Sequence, residues 1–97
     1  MATYVVLIDY TDKGIQTIKD SPARFARSKE EARAFGCEVK AFYMTMGAHD
    51  IVEIIEAPDD QSMAKLVLAV GSGGNVRTTT LRAFTETEFK STVESLP

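Results

Sequence analysis

The only histidine of the chain, His49, lies in the stretch MTMGAHDIVE, residues 44–53, beside a glycine and two acids. With an ordinary pKa near 6.5, an imidazole there could act as a general acid or base, or it could cover apolar surface while keeping one nitrogen in water. Glu53, four residues on, stands between Ile51 and Ile55, where a carboxylate is costly unless it is paired or faces a wet cavity. Hairpin pairing would bring Lys40 diagonally close, so an internal Lys40–Glu53 ion pair is expected. His49 and Glu53 would share one strand face about 13 Å apart, too far to hold one metal ion from a single chain. No Cys/His spacing suits a structural zinc, and no metal or cofactor is expected.

The other polar candidates read as structural. Asp50, on the opposite parity to His49, is expected to accept backbone N–H groups beside the turn. The glycine-rich GSGGN (71–75) follows a helix C-terminus, where the dipole is negative, so it reads as a connection rather than a phosphate cradle. Arg77 and Arg82 fall on opposite parities of one strand, and either could meet an anion. Cys37, beside Glu38 at a strand start, reads as a small buried residue with nothing to lower its pKa.

These residues need elements to hold them. Residues 4–10 (YVVLIDY) are apolar on both parities, as in a central strand covered on both faces. From Thr11 a helical period takes over and runs to Gly36, but Pro22 disfavours an unbroken helix, so a short helix, a break and a longer helix capped by Ser21 are expected. Residues 37–46 and 49–57 read as two strands joined by a turn at Gly47 and Ala48. Asp59 caps a helix with Met63, Leu66, Val67 and Val70 on one face and Gly71 as its stop. A fourth strand over 76–84 leads to a last helix, opened by the capping box of Thr85 and Glu88. The order strand, helix, strand, strand, helix, strand, helix is the α+β, ferredoxin-like split βαβ plan on a single domain spanning 1–97, with a four-stranded antiparallel sheet and helices on one face.

Parity then sorts the hairpin. An even-length loop puts Cys37, Val39, Ala41 and Tyr43 with Val52 and Ile54, a mostly apolar set suited to packing under the helices. The second set, Lys40, Phe42, Met44 and Met46 with His49, Ile51, Glu53 and Ile55, is assigned to the helix-free face. It is too apolar for open water and too polar for a sealed core, so a sheet-to-sheet homodimer enclosing a cavity is expected. His49, Glu53, Phe42, Met44 and Lys40 would line a site for a small organic ligand there, with His49 and Glu53 the candidates for any catalysis.

Three separated blocks, TYVVLIDYTDKGIQTIKDSP, MTMGAHDIVEIIEAPDD and GNVRTTTLRAFTETEF, resemble the GYD family of the dimeric α/β barrel superfamily. The family's glycine, any residue, tyrosine, aspartate motif falls on Gly47, Ala48, His49 and Asp50, with His49 replacing the usual tyrosine. The resemblance implies a ferredoxin-like protomer pairing sheet against sheet, and no established activity. Fold analogy with small monooxygenases, isomerases and decarboxylases of the superfamily supplies a cofactor-independent enzyme as one alternative, and a purely structural oligomer-forming unit is another.

Composition narrows the partners. A formal net charge of −3 offers no general attraction to phosphate backbones, and the basic segment Lys19 to Arg33 is interrupted by Asp20, Glu30 and Glu31, so no nucleic-acid partner is expected. One cysteine suits a reducing compartment, the N-terminal residues lack a basic n-region, and no apolar run approaches the length of a membrane span. A cytoplasmic protein with no membrane partner is the expectation.

Overall fold

The β-branched and aromatic run near the N-terminus forms β1 (Ala2–Tyr10) in a computed structural model that describes residues 1–97. Thr11 ends the strand and caps α1 (Asp12–Gln16), its side chain accepting from the Gly14 N–H. A 3-10 turn over Ile18–Asp20 precedes α2 (Ser21–Ala34), the break expected before Pro22. The cap differs by one residue: Asp20 holds the N-cap position, and Ser21 is the first helical residue. Ser21 is buried, and its hydroxyl exchanges a hydrogen bond with the Tyr10 phenol at 2.7 Å, so its oxygen ties the helix start to β1.

Strands β2 (Glu38–Met44) and β3 (Ile51–Ala57) follow, then α3 (Asp60–Ser72), β4 (Val76–Ala83) and α4 (Glu86–Glu94). Asp59 caps α3 by accepting from the Ser62 N–H at 2.8 Å, and Thr85 with Glu88 forms the full capping box on α4. The helix stop moves from Gly71 to Gly73, which serves as the C-cap. The four strands make one antiparallel sheet in the order β2-β3-β1-β4. This is the expected ferredoxin-like architecture, with α2 and α3 on one face.

The pairing register follows the even-loop expectation: Met44 lies opposite Ile51, Tyr43 opposite Val52 and Phe42 opposite Glu53. The face assignment is inverted. Tyr4, Val6, Ile8, Ile51, Glu53, Ile55 and Ala57 are buried beneath the helices with Phe25, Met63 and Leu66, and Phe42 packs edge-to-face on Phe25 with ring centroids 5.0 Å apart. The helix-free face carries Val5, Leu7, Ala41, Val52 and Ile54, all half-buried, with the more exposed Tyr43 and Leu81. Larger apolar volume accounts for the choice, since the covered set supplies Tyr4, Ile8, Ile51, Ile55 and Phe42 to the core.

A local irregularity in β2 makes that choice tolerable. A register shift between Val39 and Ala41 takes Lys40 out of the alternation, so its ammonium stays in water 3.7 Å from Glu38. The expected Lys40–Glu53 pair therefore does not form. Val39, beyond the shift, pairs with Ile55 and packs against the core. Cys37 is buried as expected, and desolvation pushes its thiol pKa up.

Candidate functional site

At one end of the helix-free face, the connection from Met44 to Ile51 is held in a single shape by four hydrogen bonds. The Thr45 N–H donates to the Asp50 carbonyl at 2.8 Å, the Thr45 hydroxyl donates to the His49 carbonyl at 2.6 Å, and the Asp50 N–H donates to the Ile8 carbonyl at 3.0 Å. The Asp50 carboxylate accepts from the Tyr10 N–H at 2.9 Å, which is the structural part expected of it. Gly47, at φ +114, adopts a conformation that a side chain would strain, and it reverses the chain just before His49.

This geometry brings the imidazole to β1. His49 Nδ1 lies 3.1 Å and 3.3 Å from the two carboxylate oxygens of Asp9, and both side chains remain a little over one third exposed. An ionised carboxylate can only accept, so in the neutral ring the contact selects the tautomer with hydrogen on Nδ1 and leaves Nε2 as the acceptor. Such an orienting carboxylate is what a general base requires, and it comes from the same chain. Arg77 is the cross-strand neighbour of Asp9 on β4 and has no carboxylate within ion-pair distance. Asp9, His49 and Arg77 thus form a polar end to an apolar sheet face. Asp9 was missed in the sequence, although the split βαβ order places the end of β1 beside the start of β3.

The other expected site residues lie elsewhere. Glu53 is 5% exposed on the covered face, and its Oε2 has no hydrogen-bond partner. Burial pushes its pKa up to about 7, with the Lys29 ammonium acting in the opposite direction. It borders a very small apolar void with Val6, Met63 and Leu66. It is on the opposite side of the sheet from the Asp9–His49 pair. Phe42 and Met44 line an open groove of about 800 Å³ beside α1, the 3-10 turn and α2, and Met46 is exposed in the connection. Of the two arginines, Arg82 lies on the covered side, its guanidinium over the rings of Tyr4 (5.6 Å) and Phe84 (4.7 Å). No cluster of three metal-ligating side chains exists, and no helix is long and apolar enough to cross a membrane.

The family model described as the GYD domain matches residues 4–93. The chain belongs to the GYD family. A Thermus thermophilus relative of this GYD protein, named glutamine synthetase and cystathionine beta-lyase binding protein, is 38% identical over 84 residues, covering 86% of this chain and 88% of the relative. Among solved structures, the chain is similar to the Mycobacterium tuberculosis feast or famine regulatory protein complexed with L-methionine, with TM-score 0.67 and 20% identity. The match covers 88% of this chain and spans about half of the regulator, 51%. It is also similar to the 5-chloro-2-hydroxyhydroquinone dehydrochlorinase of Burkholderia phenoliruptrix AC1100 in complex with 2,5-dihydroxybenzoquinone. There the TM-score is 0.61 at 17% identity, over 90% of this chain and 97% of that one. At these identities the structural likenesses establish the fold alone.

Proposed function

We propose that this GYD protein is a homodimeric binding protein that pairs its helix-free sheet faces and holds a small organic ligand between them. The observation that carries the reading is the composition of that face: an apolar centre of Val5, Leu7, Ala41, Val52, Ile54 and Leu81 that ends in Asp9, His49 and Arg77. A contiguous apolar patch of this kind marks an interaction surface, and convergent polar groups at its rim give a ligand orientation. His49 Nε2 accepts a hydrogen bond, and Arg77 meets a negative or polar end of the ligand. Glu53, Phe42, Met44 and Lys40 have no part in this site. The Thermus relative's name supports a binding role at the level of proteins, and the assembled dimer is the unit that would present a protein-binding surface.

Native mass spectrometry of freshly purified protein tests the reading. Twice the subunit mass with a co-retained small molecule is expected, and Leu7→Asp should lose the small molecule and weaken the dimer. A subunit-mass species with nothing bound would overturn it.

The Asp9–His49 contact favours a second reading, a cofactor-independent enzyme in which His49 Nε2 takes a proton from the ligand. The two part on kinetics. Under the enzyme reading, Asp9→Asn retains ligand but slows its conversion by about 10²-fold or more, whereas under the binding reading the retained molecule is recovered chemically unchanged by wild type and variant alike.

A further inference from the structure

The last helix has no partner in its own chain. None of its residues is buried, and it makes at most marginal contact with any other element. Phe89 and Val93, with Leu96 just beyond the helix, recur at i, i+4 and i+7 on one face and are 63%, 47% and 65% exposed. Phe84 and Phe89 occupy the positions of a hydrophobic staple, yet Phe84 is also 64% exposed. A helix of 9 residues is too short to persist in water without tertiary packing, even with its capping box. Its apolar stripe therefore requires a surface to lie on.

The groove beside α2 supplies one. Ile15, Ile18, Pro22, Phe25, Phe42 and Met44 form its apolar wall, and Ile15 and Ile18 are 51% and 42% exposed. Lys29 stands on its rim, 5.4 Å from the Phe42 ring centroid, and is bound to no carboxylate. One charge in the groove is open for pairing. Of its charged side chains Arg33 is paired with Glu30 and the Asp50 carboxylate accepts from the Tyr10 N–H, which leaves Lys29, while residues 86–96 carry three glutamates and one lysine.

The same chain cannot make this contact. Helix α4 leaves β4 after Ala83, which pairs with Thr3 at the start of β1, whereas the groove adjoins Tyr10 at the other end of β1 and Met44 on β2 at the far edge of the sheet. Those positions are about 23 Å apart along the strands and about 14 Å across them, against a helix about 14 Å long. We propose that α4 of one copy docks in the α1–α2 groove of a second copy, with Phe89, Val93 and Leu96 on the apolar wall and a glutamate of α4 paired with Lys29. Reciprocal exchange closes the assembly as a two-fold dimer. This inference is independent of whether the sheet faces pair.

A complementation experiment tests it. Full-length Phe89→Ser/Val93→Ser loses the arm, and full-length Ile15→Ser/Ile18→Ser loses the groove. All four side chains are exposed in the protomer, so both variants should keep the wild-type circular dichroism spectrum. Sedimentation of each variant alone should show self-association weakened at least tenfold, and an equimolar mixture should recover part of it, because the mixed dimer restores one arm–groove contact of two. Wild-type association by either variant, or no recovery on mixing, would overturn the exchange. Weakening of both with no recovery would point instead to two separate self-contacts, and a dimer lost only in Leu7→Asp would leave the sheet-face reading standing alone.

Discussion

Glu53 on the covered face of the sheet and Asp9 at the end of the open face are handled in opposite ways. On the covered face Glu53 lies under α2 and α3 with one oxygen unpartnered, and burial raises its pKa to about 7, so the charge is given up near neutrality. On the open face Asp9 keeps contact with water and is paired with His49 at 3.1 Å. A charged residue in a strand therefore does not by itself mark the wet side. Access to a partner or to solvent decides whether the charge survives.

The largest effect expected comes from neighbouring residues on opposite faces. Ile8→Asp places an unpaired charge at a side chain that is 1% exposed, and the cost of several kcal/mol should unfold a domain of this size. Leu7→Asp, one residue away on the open face, should retain native circular dichroism and a cooperative melt. Native-like Ile8→Asp would show that the covered face had been misread.

Glu53 sets the next effect. The folded state holds its proton up to about pH 7, whereas the unfolded chain releases it near 4.5. The folded state therefore binds more protons between those values, and stability falls as pH rises from about 4.5 to about 7, then levels. At 1.36 kcal/mol for each pH unit the loss is about 3 kcal/mol. Urea unfolding of the wild type at pH 5 and pH 8 measures it, and Glu53→Gln should flatten the profile. A wild type equally stable at both pH values would mean that the carboxyl finds water or a cation.

Smaller changes sharpen the open face. Asp9→Asn should cost under about 1 kcal/mol of stability, as an exposed pair does, yet remove the preference for hydrogen on Nδ1. Nitrogen-15 NMR of His49 at alkaline pH reports this directly, and an unchanged tautomer would deprive Asp9 of its orienting part. His49→Tyr, which restores the motif's usual residue, should alter stability by no more than about 0.5 kcal/mol and leave the association state unchanged. Loss of association would make the imidazole an interface contact.

Element order and the caps at Asp59 and Thr85 were legible because their causes are local, while the start of α2 and the stop of α3 lie one and two residues from the expected Ser21 and Gly71. Asp59 reaches Ser62 and Thr85 reaches Glu88 within one turn, and Pro22 suits a first helical turn but not a helix interior. Strand parity was legible too, since the connection between Met44 and Ile51 has an even length. Parity yields two sets without saying which one the helices cover, and both sets here contain enough Val, Ile and Tyr to serve. Glu53 and Lys40 tipped the expectation the wrong way, because protonation and a register shift are responses of the folded environment. The partner of His49 was hidden by 40 residues of sequence. It becomes visible once β1 is laid antiparallel to β3, which puts Asp9 next to the turn.

The claim that the open sheet face is the association surface is tested most directly by sedimentation of two full-length variants at micromolar concentration. Leu7→Asp places a charge at the centre of that face, and Leu68→Asp places the same charge on the outer side of α3, where Leu68 is already 72% exposed. The account predicts that Leu7→Asp stays folded and associates at least tenfold more weakly than wild type, the arm exchange alone remaining, whereas Leu68→Asp leaves the dimer unaltered. A dimer for Leu7→Asp as tight as wild type would contradict it.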